Sequence, residues 1–254
     1  MYYYIFEQSK PNTGRTQEHV KGILTELGIS GEIVTVSPAR TTEELVEMGV
    51  NKNHSTIVAV GNDHHINKIG SYLRNKNVAM GIIPINSSEI IHKLIGGSDI
   101  KEACEILKFR KLKEISMGAV EPNKFFLTQV EIQTHSSKPV AITIINPGSD
   151  SYVAQTTFSE IIISKNLYLF MTDKYINYNI LKKSWDWLIG KTIPDIVSSI
   201  LRGKKIKIET NEPIPVTMDG EIIAKTPIVL SLYPKALKII TKPARIINEK
   251  RKDS

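Results

Sequence analysis

Through its first 110 or so residues the chain alternates short apolar strands with amphipathic helices, and beyond that point strand follows strand. That change of rhythm limits the fold more than any other feature. Strands are expected over 2–6, 32–36, 55–60 and 78–85. The third is apolar on both faces, which suits the middle of a parallel sheet covered by helices on each side. Between the first two, Val20, Ile23, Leu24 and Leu27 fall at i, i+3, i+4 and i+7, one helical face closed by Gly28. Thr41 followed by Glu44 predicts a capping box. Ile66, Ile69 and Leu73 mark a third helix, and Ile90, Ile91, Leu94 and Ile95 a fourth. A fifth, capped by Ser98, holds Ala103, Ile106 and Leu107. Alternation of this kind predicts a doubly wound, mostly parallel sheet with ligands at the C-terminal ends of its strands.

In the second half, strand-like stretches recur over 113–120, 124–133, 140–146, 160–164, 167–172, 205–210, 214–218, 222–224, 228–232 and 237–241. Only 193–201 carries a helical pattern, with Pro194 in its first turn. Many short strands punctuated by Pro, Gly and Asn predict a sandwich-like β domain. The expected class is therefore α/β plus β. The expected parts are an α/β domain over 1–112, a β domain over 113–241 and a basic tail over 242–254.

Composition narrows the functional classes. Cys104 is the one cysteine, so a scaffold held by internal disulfides is excluded. No apolar run is long enough for a membrane helix, and the start lacks a charged segment followed by an apolar core. An intracellular, cytoplasmic protein is expected. Residues 235–254 carry seven basic and two acidic side chains, a net +5 of the chain's +7. The charge is thus local, and no nucleic-acid-binding module accompanies it. A solvated end is the ordinary use of such a tail; an anionic membrane surface is the alternative.

Three junctions can carry chemistry. Gly61-Asn62-Asp63-His64-His65-Ile66-Asn67 follows a buried strand and opens a helix. Backbone N–H groups there suit phosphate, although an ordinary βα turn with an Asp cap has the same pattern. Pro84-Ile85-Asn86-Ser87-Ser88-Glu89 is the neighbouring junction, and its small polar residues serve a ligand or simply cap the helix. Met218-Asp219-Gly220-Glu221 between apolar runs predicts a hairpin. Its carboxylates lie on the surface unless the hairpin aims one into a cleft as a base. His64 and His65 are adjacent and cannot share a face, and with Cys104 and His92 they make no recognisable zinc pattern.

In order and spacing these segments resemble the diacylglycerol kinase catalytic family, which includes bacterial lipid kinases and sphingosine kinases and is related more distantly to NAD kinases. The family's Gly-Gly-Asp-Gly-Thr, followed by an apolar residue and Asn-Glu-Val, appears as Gly61 to Ile69. Its Leu-Gly-Ile-Ile-Pro-Leu-Gly-Thr-Gly-Asn-Asp appears as Met80 to Ile90. Leu94-Ile95-Gly96 and the helix after Asp99 follow the same frame. The C-terminal Pro-x-Pro-x-x-x-Asp-Gly-Glu, Thr-Pro and Pro-x-Ala-Leu match Pro213 to Glu221, Thr226-Pro227 and Pro234 to Leu237. The chain departs from the pattern where glycines become Asn62, His64, Asn86 and Ser88, and where Thr becomes His65. Asn tolerates left-handed geometry better than His.

The resemblance implies a nucleotide cleft between the two domains, with ATP and Mg²⁺ as cofactors and a lipid alcohol such as diacylglycerol as acceptor. It implies Gly61, Asn62, Asp63, His64 and His65 at the nucleotide phosphates, with Asn67 and Ser87 in support. Glu221 is then the proton acceptor, aimed by Asp219 and Gly220; the metal ligands are not assigned. It also admits a homodimer and a peripheral membrane contact. Alternatives are a degenerate relative that binds only a nucleotide or a partner, and an NAD-kinase-like enzyme, which the Asp-Gly-Glu ending disfavours.

Overall fold

The computed structural model describes residues 1–8, 14–146, 148, 151–172 and 199–243. Strands β1 (Tyr2–Phe6), β2 (Gly31–Thr35), β3 (Thr56–Gly61) and β4 (Ala79–Pro84) lie parallel in the order β2-β1-β3-β4. Every residue of β3 and β4 is buried, because helices cover both faces. On one face, α1 (Gly14–Glu26) and α5 (Ile100–Phe109) insert Val20, Ile23, Leu24, Ile106 and Leu107 against Tyr4, Val58 and Ile83. On the other, α2 (Thr42–Asn51), α3 (Asp63–Leu73) and α4 (Glu89–Ile95) pack Leu45, Ile66, Ile69, Leu73 and Ile91 against Tyr3, Ile57 and Met80. Each such side chain contributes about 1.5–3 kcal/mol through burial. The capping box forms as expected: Thr41 Oγ1 accepts from the Glu44 N–H, and the Glu44 carboxylate accepts from the Thr41 N–H.

The rest is antiparallel and strand-rich. Its strands are β5 (Leu112–Val120), β6 (Lys124–Phe126), β7 (Gln129–Ile145), β8 (Tyr152–Ser164), β9 (Tyr168–Thr172), β10 (Ser199–Arg202), β11 (Lys205–Thr210), β12 (Pro215–Met218), β13 (Glu221–Lys225) and β14 (Ile228–Ile240). A register shift between Gln133 and Lys138 divides β7. Its first half pairs with β12 and its second with β11, which wraps the strands around Val130, Ile142, Phe158, Ile161, Ile206, Val216 and Leu230. β14 joins the two regions. It pairs antiparallel with β11 over Ile228–Ser231, and parallel with β4 at Lys238 and Ile239.

Several expectations need correction. Residues 199–201, expected as a helix end, lie in β10, because Ser199–Arg202 pair edge-on with Tyr168–Met171; residues 193–198 lie outside the described residues. The N-cap of α5 is Asp99, not Ser98: its carboxylate accepts from the Glu102 N–H, while Ser98 donates to the Glu102 side chain. The segments expected at 228–232 and 237–241 are one strand with an irregularity between Tyr233 and Leu237. Of the expected basic tail, only Lys242 and Pro243 are described.

Candidate functional site

The order of the parallel strands reverses at β1, with β2 on one side and β3 on the other. The crevice outside their C-terminal ends is where such sheets place ligands. Gly61 ends β3, and Asn62, with φ −80°, caps α3 by accepting the His65 N–H at 3.0 Å. Neither Asn62 nor His64 has positive φ, so these glycine replacements carry no backbone strain. Gly61 does require glycine, since a Cβ there would lie 2.8 Å from Glu7 Cβ. Asn86, in the second junction, has φ +52°, and Asn fills that left-handed position where the family pattern has Gly.

Glu7, which sequence reasoning missed, is the residue after β1. Its carboxylate accepts the Asn62 N–H at 3.1 Å and the Asn62 Nδ2–H at 2.8 Å. An anion of the chain itself therefore holds the turn that would receive phosphate. Asp63 Oδ1 accepts the Ser88 N–H at 2.9 Å and so links the two junctions. Ser87 Oγ donates to the Gly61 carbonyl at 3.1 Å. Ser88 Oγ is buried with no hydrogen-bond partner, a donor left for a ligand. Beside this junction, Thr16, His19, Asn86, His92, Asp99 and Lys101 help line a cleft of about 540 Å³.

The two histidines part as expected. His65 is 3% exposed, and its Nε2 meets the Ile5 carbonyl at 3.0 Å. A carbonyl only accepts, so Nε2 carries the proton. Burial pushes the His65 pKa below the usual histidine value of 6.5, outweighing the carbonyl contact and the Glu7 charge. A histidine neutral in the fold and protonated when unfolded gives stability that is lost as pH falls. Melting temperature is therefore expected to drop as pH falls below 6.5. His65→Gln should flatten that slope, a comparison made by thermal melts from about pH 7.5 to about pH 5.

His64 is half-buried, its Nδ1 shielded from solvent 3.5 Å from Glu221 Oε2. Glu221 follows Asp219 (φ +51°) and Gly220 (φ +83°), the two left-handed residues of a type I′ hairpin between β12 and β13. Asn67 fastens this hairpin to α3. It is 1% exposed; its Nδ2 donates to Asp219 Oδ2 at 2.6 Å and Thr128 Oγ1 at 2.8 Å, and its Oδ1 accepts the Leu127 N–H at 2.6 Å. Thr128, which also escaped the sequence reading, donates to Asp219 Oδ1 at 3.2 Å. Burial raises the Asp219 pKa above the usual aspartate value and the nearby Asp63 charge adds to it, while Asn67 and Thr128 act in the opposite sense.

The fold thus brings all the expected site residues to one edge: Gly61, Asn62, Asp63, His64 and His65 at the turn, Asn67 and Ser87 beneath and beside it, and Glu221 from the distant hairpin. They are not equivalent. His65, Asn67 and Ser87 are spent on internal contacts, whereas Glu221 is exposed and His64 is half-buried, with no hydrogen-bond partner at Nδ1 among the described residues. Among the described residues, no group of three or more His, Cys, Asp or Glu side chains is placed to hold a metal ion.

Residues 7–120 match the family model of the diacylglycerol kinase catalytic domain. No curated protein matches the sequence significantly. Among solved structures, a crystal structure of a diacylglycerol kinase from Bacillus anthracis str. Sterne has TM-score 0.73 at 16% identity, covering 95% of this chain and 97% of that one. Two structures titled as a proposed diacylglycerol kinase from the same organism have TM-scores of 0.75 and 0.74, at 15% and 16% identity, with the same coverage. At such identity the likeness is one of fold.

Proposed function

We propose that this chain, whose residues 7–120 match the diacylglycerol kinase catalytic domain, carries out ATP-dependent phosphoryl transfer to the hydroxyl of a lipid. The observation that carries the reading is convergence. A hairpin about 150 residues away in sequence sets Glu221 3.5 Å from His64, at the N-terminus of α3. We assign residues 1–112 to nucleotide binding, with the β region supplying the base.

In this reading the first-turn N–H groups of α3 face the phosphates, and Ser88 Oγ supplies a further donor. The 540 Å³ cleft beside Asn86 takes the rest of the nucleotide. Glu221 accepts the proton of the lipid hydroxyl as it attacks, and His64 orients that carboxylate. Mg²⁺ commonly binds through one or two carboxylates plus substrate phosphates. Asp63, whose Oδ1 accepts the Ser88 N–H, and Asp219, which accepts from Asn67 and Thr128, are the carboxylates of this edge that would hold it through their remaining lone pairs. When bound, the ion would neutralise charge on the transferring phosphoryl group.

The Glu7 carboxylate favours a second reading, a chain that binds a nucleotide only weakly and does not turn it over. It occupies the turn at 2.8 and 3.1 Å and must yield to phosphate or repel it. Removing that charge is expected to tighten ATP binding. At an effective dielectric near 20, a charge a few ångströms away is worth enough for about a tenfold gain or more. Titration calorimetry of Glu7→Gln against wild type tests this; an unchanged dissociation constant would show that Glu7 does not oppose phosphate. ADP release that depends on added lipid separates the two readings.

A further inference from the structure

The C-terminus of α5 and the start of β5 enclose Lys108-Phe109-Arg110-Lys111-Leu112-Lys113, all six exposed, with Glu114 exposed after them. Phe109 is 69% and Leu112 47% exposed, although the rest of α5 packs its apolar residues inward. Arg110, with φ +49°, ends the helix and separates the two apolar side chains. Among the described residues, none of the four cations is paired with a carboxylate. Two protruding apolar side chains set among unpaired cations suit an anionic lipid surface: the cations meet headgroups, and Phe109 and Leu112 enter the acyl boundary. The apolar area is too small for a stable protein interface.

Two further observations extend the positive field. The Thr241 N–H donates to the Lys111 carbonyl at 2.9 Å. Residues 242–254, which follow it in sequence, carry five basic and two acidic side chains. At the other end, Lys165 lies close enough to feel Lys113; burial pushes its pKa down to about 8, and the Lys113 charge adds to that. The Lys165 N–H donates to the carbonyl of Thr128, whose side chain holds Asp219. The cationic face thus approaches the candidate site.

We propose that residues 108–113 form a docking element for an anionic membrane surface, with Phe109 and Leu112 as its inserted side chains. The proposal does not depend on phosphoryl transfer, and its test uses no ATP. Full-length protein is sedimented with vesicles of phosphatidylcholine containing about a quarter phosphatidylglycerol, and with phosphatidylcholine alone. Wild type should bind the anionic vesicles, bind the neutral ones far less, and be released by high salt. Replacing Lys108 and Lys111 together by Gln should lower partitioning about 25-fold, at about fivefold per cation. Replacing Phe109 and Leu112 together by Ser should lower it about tenfold or more. All four positions are exposed, so melting temperatures should stay at the wild-type value. Wild-type protein that ignores anionic vesicles overturns the proposal. So does either variant pair binding as wild type does, the outcome if the C-terminal stretch alone makes the contact. Variants that lose self-association or RNA-oligonucleotide binding while keeping vesicle binding also overturn it.

Discussion

Glu221→Gln is expected to lower lipid-dependent ADP release by about 100- to 10,000-fold, the usual worth of a positioned proton acceptor. ATP affinity should change far less than turnover, because Glu221 is largely solvent-screened and comes from the β12–β13 hairpin, apart from the groups on β3, α3 and the β4–α4 junction proposed to face the nucleotide. The side chain is 65% exposed, so its loss should leave stability within about 0.5 kcal/mol of wild type. A coupled ADP assay beside a binding titration gives both numbers. Turnover that survives the substitution would remove Glu221 from the mechanism and direct attention to Asp219, the other carboxylate of the same turn.

Asn67→Leu is expected to be the most destabilising single change at the site. The side chain is 1% exposed, and its amide serves the Leu127 N–H, Thr128 Oγ1 and Asp219 together. Leucine has similar volume and none of these bonds. Each buried group left unpaired costs about 1–3 kcal/mol, so a total loss of about 3–5 kcal/mol follows. For a chain of this size that lowers the melting temperature by about 10 °C or more. Asp219 would also lose a hydrogen bond that holds its raised pKa down. The hairpin carrying Glu221 would then be freed from α3, so activity should fall with stability. An unchanged melting temperature would mean that the hairpin is held by something other than Asn67.

The parallel half was legible because its signals are local. Strand β1 was expected over the residues it occupies, the Thr41–Glu44 capping box forms both of its bonds, and Ile66, Ile69 and Leu73 face the core. The Asp-Gly hairpin was legible for the same reason: two left-handed residues leave few choices of sequence. The antiparallel half was harder. Whether 228–232 and 237–241 are one strand or two depends on pairing with β5, β11 and β4, which local pattern does not encode. The edge pairing that makes 199–202 a strand is equally non-local. At the site, the motif residues could be placed from their spacing, but Glu7 and Thr128 could not. Glu7 acts across the sheet on a turn 55 residues later, and Thr128 lies in a connection with no motif of its own. A charged residue directly after the first buried strand, at the edge where ligands bind, was the one available signal for Glu7.

The most direct test of the central reading is transfer of labelled phosphate from ATP, with Mg²⁺ present, across a panel of lipid alcohols that includes diacylglycerol. The reading predicts a labelled lipid product and ADP release that requires the lipid, both abolished in Glu221→Gln. ATP that binds without labelling any lipid would contradict it and leave the nucleotide-binding reading.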